Sequence, residues 1–200
     1  MADIKEGIGW LLRHRYLRLL ALMGLVLGLL DEAVFAVFAV FVLYAQDVLG
    51  LTASGYGLLL AVGAVGGILG SFVVENVVRR VGSGGAIFLS LILGLISYVG
   101  IALSGNVIFV GLMLAVNGFH LVLWNVTTIS LRQAIVPAEL LGRVNSAYRF
   151  LMMAGLTSGT LAGGAIASAF GLTAPFWFAA ALLAVLVLTA LANARASSLR

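Results

Sequence analysis

Two carboxylic acids, Asp31 and Glu32, stand side by side within a long apolar stretch, 19–44. A charged group at bilayer depth costs at least about 2.5 kcal/mol on insertion scales, so acids there usually face a cavity or a partner. Adjacent helical residues diverge by about 100°, so both can border one cavity without pointing the same way. Intramembrane acids can form proton relays, as a proton-coupled carrier requires. The alternative is a structural pair satisfied by side chains of a neighbouring helix.

A second set of polar side chains follows one stripe of a later apolar stretch. Asn117, His120, Trp124 and Thr128 are spaced at helical intervals, and Asn125 lies beside them. A lone histidine in an apolar helix is usually a satisfied structural residue. Because this histidine shares its face with an amide, an indole and a hydroxyl, the stripe predicts the wall of a polar cavity.

Patterns typical of enzymes are missing from the sequence. An intramembrane aspartyl protease needs acids on two helices, but only the first apolar stretch contains any. Ser158 lacks the GxSG pattern of rhomboid-type serine proteases, because position 156 is leucine. There is no phosphate-binding loop or zinc motif. The absence of cysteine excludes disulfides and thiolate metal sites. We therefore predict a protein that is not an enzyme, with no catalytic residue, no metal and no cofactor.

The composition indicates which elements must position these polar groups. Hydrophobic residues make up 63% and charged residues 9% of the chain, against about 25% charged residues in soluble domains. The mean hydropathy is +1.21. Such a chain does not have enough polar residues to cover its surface in water, so we expect an integral membrane protein.

Apolar runs long enough to cross a bilayer need about 20 residues, and the sequence offers six of them. Ser104–Asn106 divides one long uncharged run and Gly171–Pro175 divides another, by turn and helix-start signals. We predict an all-α membrane domain over 19–194, after a cytoplasmic lead-in at 1–18 and before a cytoplasmic tail at 195–200. Its predicted spans are 19–44, 52–74, 85–103, 107–130, 144–170 and 175–193.

The positive charges predict the orientation of these spans. All eleven Lys and Arg residues fall at the termini or in the connections between spans 2 and 3 and spans 4 and 5, and cytoplasmic loops favour such residues. Both termini are therefore expected in the cytoplasm, and a nucleic-acid partner is not. The lead-in is either an interfacial amphipathic helix or a basic tail. Its apolar residues at helical spacing are Ile4, Ile8, Leu11 and Leu12.

Small residues form stripes that suit close helix packing. They also suggest a repeat, because the glycines of span 2 and span 5 share a constant offset of 92, as do Tyr56 and Tyr148. Two copies of a three-helix unit would be inverted in the membrane, giving a 3+3 inverted repeat. The stripes serve tight packing, sliding during a transport cycle, or both. Their glycines are Gly63, Gly67, Gly155, Gly159 and Gly163.

One connection carries a family resemblance. Residues 130–146, SLRQAIVPAELLGRVNS, resemble the connection between helices 10 and 11 of major facilitator superfamily exporters of the enterobactin-exporter and macrolide-efflux type, and residues 6–15 resemble the lead into helix 7. The resemblance implies that the six spans correspond to helices 7–12, with spans 1 and 4 lining a central cavity. It also implies efflux of a small hydrophobic molecule across the plasma membrane by a multi-pass protein.

The resemblance also implies cytoplasmic gate loops. The family's gating motif, GxxxD followed by a basic pair, falls at 70–80, where Val74 replaces the aspartate, Glu75 comes one place late and Arg79-Arg80 is retained. The motif's charge relay is therefore incomplete in this loop. The other predicted gate residues belong to the connection between spans 4 and 5. They are Arg132, Glu139 and Arg143.

Six spans amount to half of a twelve-helix carrier. We expect the chain to pair with itself as a homodimer or with a separate N-terminal half, and to bind the lipid bilayer and a small-molecule substrate. The likeness of its first residues to an interior linker favours a fragment of a longer carrier or a truncated, inactive one. The alternative function is a structural or regulatory membrane module that does not transport.

Overall fold

The computed structural model describes residues 15–35 and 38–198, and these residues are helical apart from short connections. No strand occurs among them. The predicted amphipathic lead-in lies almost wholly outside the described residues, as do the last two residues of the chain. The side chains of 30–39 also lie outside the description.

Six α-helices and one π-helical turn make up the described chain. The π-helix continues directly from the second helix, and the other connections are two to four residues long. The elements are α1 (Arg15–Phe35), α2 (Phe38–Leu43), the π-helix Tyr44–Val48, α3 (Ala53–Leu103), α4 (Val107–Ile135), α5 (Ala138–Phe170) and α6 (Ala174–Ser198).

Helix α3 is broken at Gly82, whose φ of 72° and ψ of 167° are non-helical. This conformation suits glycine because it has no Cβ. The limb 53–81 runs parallel to α4, since Gly63 lies against Leu114 and Gly67 against Val122. The limb 83–103 runs antiparallel to α4, because Ser90 contacts residue 120 and Ser97 contacts residue 117. The two limbs therefore form a helical hairpin.

Local sequence signals determine where several helices begin and end. Thr52 caps α3, accepting a hydrogen bond from the Gly55 amide, and Asn106 caps α4, accepting one from the Phe109 amide. These side chains satisfy amide groups that have no partner within the helix. At the other end of α4, Pro137 disfavours helical geometry at the preceding residue. Only two residues separate α4 from α5, because both helices continue beyond their apolar segments.

Two helix pairs dominate the packing: α1 packs on α5, and α3 packs on α4, whereas α4 and α5 make few contacts with each other. A Cβ at Gly66 would overlap the carbonyl of Ala115, and one at Gly155 would overlap the carbonyl of Leu25. Glycine thus allows backbone contact in both pairs, as is common where lipid gives helices no hydrophobic drive to associate.

An aromatic cluster joins α2, the π-helix, α3 and α6. Tyr44 is fully buried and its hydroxyl donates to the Ile101 carbonyl oxygen at 2.9 Å or to that of Ser104 at 3.0 Å. The Tyr44 ring lies 5.0 Å from Phe176 and stacks on Phe41 at 5.9 Å. The hydroxyl thus adds a hydrogen bond at the end of α3, where the helical hydrogen-bond pattern stops and where the Ile101 carbonyl oxygen also accepts from the Ser104 amide.

By length and composition alone, four of the described helices can cross a membrane: α3, α4, α5 and residues Ala174–Leu191 of α6. The described chain is therefore an all-helical protein with several membrane-spanning helices.

Candidate functional site

A cavity of about 510 Å³ lies where α4 and α5 diverge, with α1 closing one side. Its volume falls within the ~300–1,000 Å³ typical of pockets for small ligands. One end is polar, and the rest of the wall is apolar apart from Asn125. The lining residues are Gly28, Asn125, Ile129, Arg132, Asn145, Tyr148, Arg149, Met152, Met153 and Leu156.

Arg132 dominates the polar end of this cavity. It lies in the last turn of α4 and is only 6% exposed. Its guanidinium carbon stands 3.8 Å from the centre of the Tyr148 ring, which is cation–π geometry. Its Nε donates to Asn145 Oδ1 at 3.2 Å. Its Nη1 has no hydrogen-bond partner among the described residues, so the side chain is fixed while part of its donor capacity is unused.

The apolar wall comes mainly from one face of α5. Met152, Met153 and Leu156 follow Tyr148 at helical spacing, and Ile129 of α4 faces them across the cavity. Methionine side chains are flexible and polarizable, so they adapt to ligands of different shape. On the opposite side Gly28 brings the α1 backbone close to Met152.

Asp31 and Glu32 lie on α1 one turn beyond Gly28, which lines the cavity. Their backbone positions are therefore next to the cavity along that helix. Their side chains lie outside the described ones, so their role as a proton pathway stays a prediction.

The polar stripe of α4 lies mostly against the limb 83–103. The Asn117 amide donates to Ser97 Oγ at 3.2 Å. His120 Nδ1 lies 2.6 Å from the Ser90 carbonyl oxygen, and since a carbonyl only accepts, this nitrogen donates. Gly94 leaves room for the ring, because a Cβ there would lie 3.0 Å from Nε2. These two side chains join helices, which is a common use of polar groups inside membranes.

The remaining stripe residues divide between core and cavity. Trp124 and Thr128 are buried, and the Thr128 hydroxyl donates to the Trp124 carbonyl oxygen at 2.8 Å. Asn125 donates to the Leu121 carbonyl oxygen at 3.0 Å and lines the cavity. Asn125 is thus the member of the predicted set, among those with described side chains, that the structure places at the cavity.

The predicted gate residues all lie on helices. Glu75 and Arg79 stand on α3 with a 4.0 Å separation between their charged groups, and both are largely exposed. Arg79 also donates to Asn76. Arg80 is exposed beside them, as is Glu139 in the first turn of α5, and Arg143 is half-buried one turn later. Arg132 differs from this group because it is buried and lines the cavity.

The sequence was compared with known protein families and with curated proteins. A family model described as MFS/sugar transport protein matches residues 2–141, which is more than two thirds of the chain. The chain belongs to the major facilitator superfamily. It is therefore a multi-pass membrane protein of a transporter family. No curated protein matches it.

The match to the major facilitator superfamily ends before most of the α5 cavity wall. It covers α1 to α4 and the first residues of α5, whereas six lining residues follow position 144. The family match therefore gives no information about most of this wall, and its features come from the structure of this chain alone.

Sequence reasoning missed several cavity residues of this superfamily member. These residues lie on one face of α5 at helical spacing, and they are Asn145, Tyr148, Arg149, Met152 and Leu156. In the sequence, Asn145 stands out only as part of the resembling segment and Tyr148 only as part of the repeat. The signal that could have found them is a polar and methionine-rich helical face directly after the resembling segment 130–146. This face begins near the basic end of span 4.

The glycines predicted to serve packing lie at helix contacts or in buried positions. Gly63 and Gly67 face α4, and Gly155 faces α1. Gly159 and Gly163 are buried on the same helix as Gly155. Among the described residues of this superfamily member, no group of three or more His, Cys, Asp or Glu side chains could hold a metal ion.

Proposed function

We propose that this chain is one half of a major facilitator carrier and that it exports a small molecule by alternating access, using the cavity between α1, α4 and α5. The observation that carries the proposal is the divergence of α4 and α5. It opens a ligand-sized space with a fixed, buried arginine in a protein of a transporter family.

The proposed half-carrier has six spans arranged as an inverted repeat, and the lengths and contacts of the helices support this arrangement. The hairpin at Gly82 divides α3 into two limbs, each long enough to cross about 30 Å of hydrocarbon. The offset of 92 relates 53–81 to α5 and α1 to α4. It therefore relates the α3–α4 contact to the α1–α5 contact, and these are the two main contacts of the fold. Both are parallel pairs, as Gly24–Tyr148 and Gly28–Met152 show for α1 and α5.

The same contacts support a single basic face. Because 53–81 runs parallel to α4, the turn at Gly82 and the connection at 136–137 lie at one end of the bundle. Because α1 runs parallel to α5, the start of α1 lies at that end as well. We therefore place this end, and both termini, in the cytoplasm of a cell whose plasma membrane holds the protein.

The topology can be tested by labelling, since the chain has no cysteine. Single cysteines replace Ser83 and Gln133, which lie close to the two basic connections, and Asn106, at the opposite end. A membrane-impermeant maleimide applied to intact cells should label only Asn106→Cys, and permeabilised cells should show all three. Labelling of Ser83→Cys and Gln133→Cys from opposite faces would overturn the span count and the orientation.

Transport itself is best tested in proteoliposomes with a pH gradient. When the pH gradient is imposed, we expect the wild type to move a neutral hydrophobic dye, N-phenyl-1-naphthylamine, against the dye's own concentration gradient. Asp31→Asn or Glu32→Gln should abolish the accumulation that the pH gradient drives. Asp47→Asn, an exposed acid outside the cavity, is the matched control and should transport normally. Wild-type accumulation no greater than in empty liposomes would favour a non-transporting structural or regulatory module, or an inactive fragment.

A second half is needed to enclose the cavity. Met153 is 55% exposed at its rim, whereas Ile108, at the far side of α4, is 85% exposed. If a second copy covers the cavity, Met153→Cys should form a disulfide-linked dimer in membranes and Ile108→Cys should not. Monomers alone for both variants would exclude a homodimer over this face and favour a separate N-terminal half as the partner.

A further inference from the structure

We infer that the polar end of the cavity binds the anionic group, a carboxylate or a phosphate, of an amphipathic ligand whose apolar part lies along Met152 and Leu156. The inference rests on the proposed function only in assigning a ligand to the same cavity. It names a class of ligand that differs from the sugar of the family description and from a purely hydrophobic molecule.

The first argument is the state of Arg132. Burial of a charged group is costly unless it is paired and hydrogen-bonded. The Tyr148 ring and Asn145 Oδ1 hold the guanidinium in place, but neither carries a negative charge. Nη1 is buried without a hydrogen-bond partner among the described residues. A planar guanidinium with free donors matches the geometry of carboxylate and phosphate oxygens.

The second argument is the charge of the lining. Arg149 is a second arginine at the same end, and none of the described lining residues is acidic. The nearest acids along α1 begin at Asp31, which lies seven residues after Gly24, the residue that contacts Tyr148. This separation is about 10 Å of helix. Among the described residues Arg132 has no opposite charge beside it. A neutral sugar or a cation would supply none, whereas an anion supplies one.

The third argument is the apolar remainder of the wall. Ile129, Met152, Met153 and Leu156 extend from the arginine end along α4 and α5. An anion without an apolar part would leave this surface unused, and a purely apolar molecule would leave the arginines unused. A single chain carrying one anionic head uses both.

Three probes with the same dodecyl chain isolate the head group: dodecanoate, dodecyl maltoside and dodecyltrimethylammonium. The protein is held in phosphatidylcholine nanodiscs, tryptophan fluorescence reports binding, and empty nanodiscs give the background. We expect dodecanoate to bind at least tenfold more tightly than the other two. Equal affinity for all three probes would overturn the inference.

Substitutions then locate the site. Arg132→Gln should weaken dodecanoate binding at least tenfold, to the level of dodecyl maltoside, and Arg132→Lys should weaken it less because it keeps the charge. Arg149→Gln, at an exposed position, should cost a few-fold. The matched control is Arg18→Gln, an exposed arginine outside the cavity. Unchanged dodecanoate affinity in a folded Arg132→Gln protein would overturn the inference. If that variant does not fold, an unchanged affinity in Arg149→Gln would overturn it.

The source of the anion is tested by adding phosphatidylglycerol to the nanodiscs. If a lipid head group occupies the site, phosphatidylglycerol should compete with dodecanoate in the wild type and not in Arg132→Gln, which lacks the charge. If the ligand is a soluble amphiphile, dodecanoate affinity should not change. Binding of dodecanoate without any flux would support this inference and overturn the proposed transport. Flux without a preference for an anionic head group would support the proposed transport and overturn this inference.

Discussion

The α3–α4 and α1–α5 contacts use the same device, glycine opposite backbone, but differ in what surrounds it. Between α3 and α4, glycines on both helices meet, and Asn117 and His120 add hydrogen bonds to the second limb of α3. Between α1 and α5, the described α1 side chains from 21 to 29 are all apolar. The cavity borders this second contact along Gly28 and Met152.

This difference separates a fixed part of the molecule from an adaptable one. Hydrogen bonds have direction and hold two helices in one register, whereas apolar contacts allow helices to shift without leaving a polar group unsatisfied. Alternating access in such carriers is largely a rocking of one rigid unit against another. We therefore expect the hairpin of α3 with α4 to move as one body and α1 with α5 to adjust around the ligand.

The largest expected effect comes from filling the α3–α4 contact. A Cβ at Gly118 would overlap the Gly63 carbonyl, so Gly118→Leu must separate two backbones. Overpacking costs about 1–3 kcal/mol and sometimes more, and we expect at least about 3 kcal/mol here. The measurement is unfolding in mixed micelles on titration with sodium dodecyl sulfate. Gly57→Leu on α3, where nothing lies within 4 Å, is the matched control and should unfold like the wild type.

The corresponding change on the other side is expected to be milder. Gly155→Leu would press on the Leu25 carbonyl, but α1 has the cavity beside it and can yield. We expect about 1–2 kcal/mol of destabilisation, together with a loss of ligand binding because the cavity wall moves. Gly164→Leu, in open space on the same helix, is the control. If Gly155→Leu destabilised the protein as much as Gly118→Leu, the two contacts would be equally rigid and the comparison would fail.

Much of the fold class could be predicted from the sequence, because helices whose solvent is lipid must be apolar along their whole length. Continuous apolar runs predicted membrane-spanning helices, and the all-helical structure together with the superfamily match confirms a major facilitator membrane protein. Turn chemistry located the break between α3 and α4, since Asn106 is a local helix cap. These signals act within a few residues and need no knowledge of which helix packs on which.

The candidate site could be predicted only in part, because its geometry depends on contacts between helices that the sequence of one helix does not reveal. Helical spacing puts Asn117 and His120 on one face of α4, but it gives no reason to choose between a cavity and the limb 83–103. The structure puts this face against Ser90 and Ser97. The formal charge of Arg132 ends the apolar run, so the sequence predicts that it lies in the connection after span 4. Its partner Tyr148 lies on another helix, and that contact makes its burial possible.

A smaller effect should come from the polar bond that distinguishes the α3–α4 contact. A double-mutant cycle with Asn117→Ala and Ser97→Ala isolates the 3.2 Å bond between them. Such bonds within membrane proteins average about 0.6 kcal/mol in coupling cycles and reach about 1.7 kcal/mol. We expect a coupling near the lower value, because the Ser97 hydroxyl also donates to the Gly94 carbonyl oxygen. A coupling of zero would remove the hydrogen bonds from the explanation of rigidity.

The smallest effect is expected at the exposed end of α3. Glu75 and Arg79 are 83% and 68% exposed with their charged groups 4.0 Å apart, and pairs at this helical spacing contribute about 0.3–0.5 kcal/mol at most. Arg79→Gln should therefore change the free energy of unfolding by less than about 0.5 kcal/mol, and added salt should remove the difference. A larger, salt-independent loss would mean that a charge contact at the Gly82 turn holds the hairpin closed. The rigidity of this half of the molecule would then come from the end of the bundle at the Gly82 turn as well as from the glycine contact between α3 and α4.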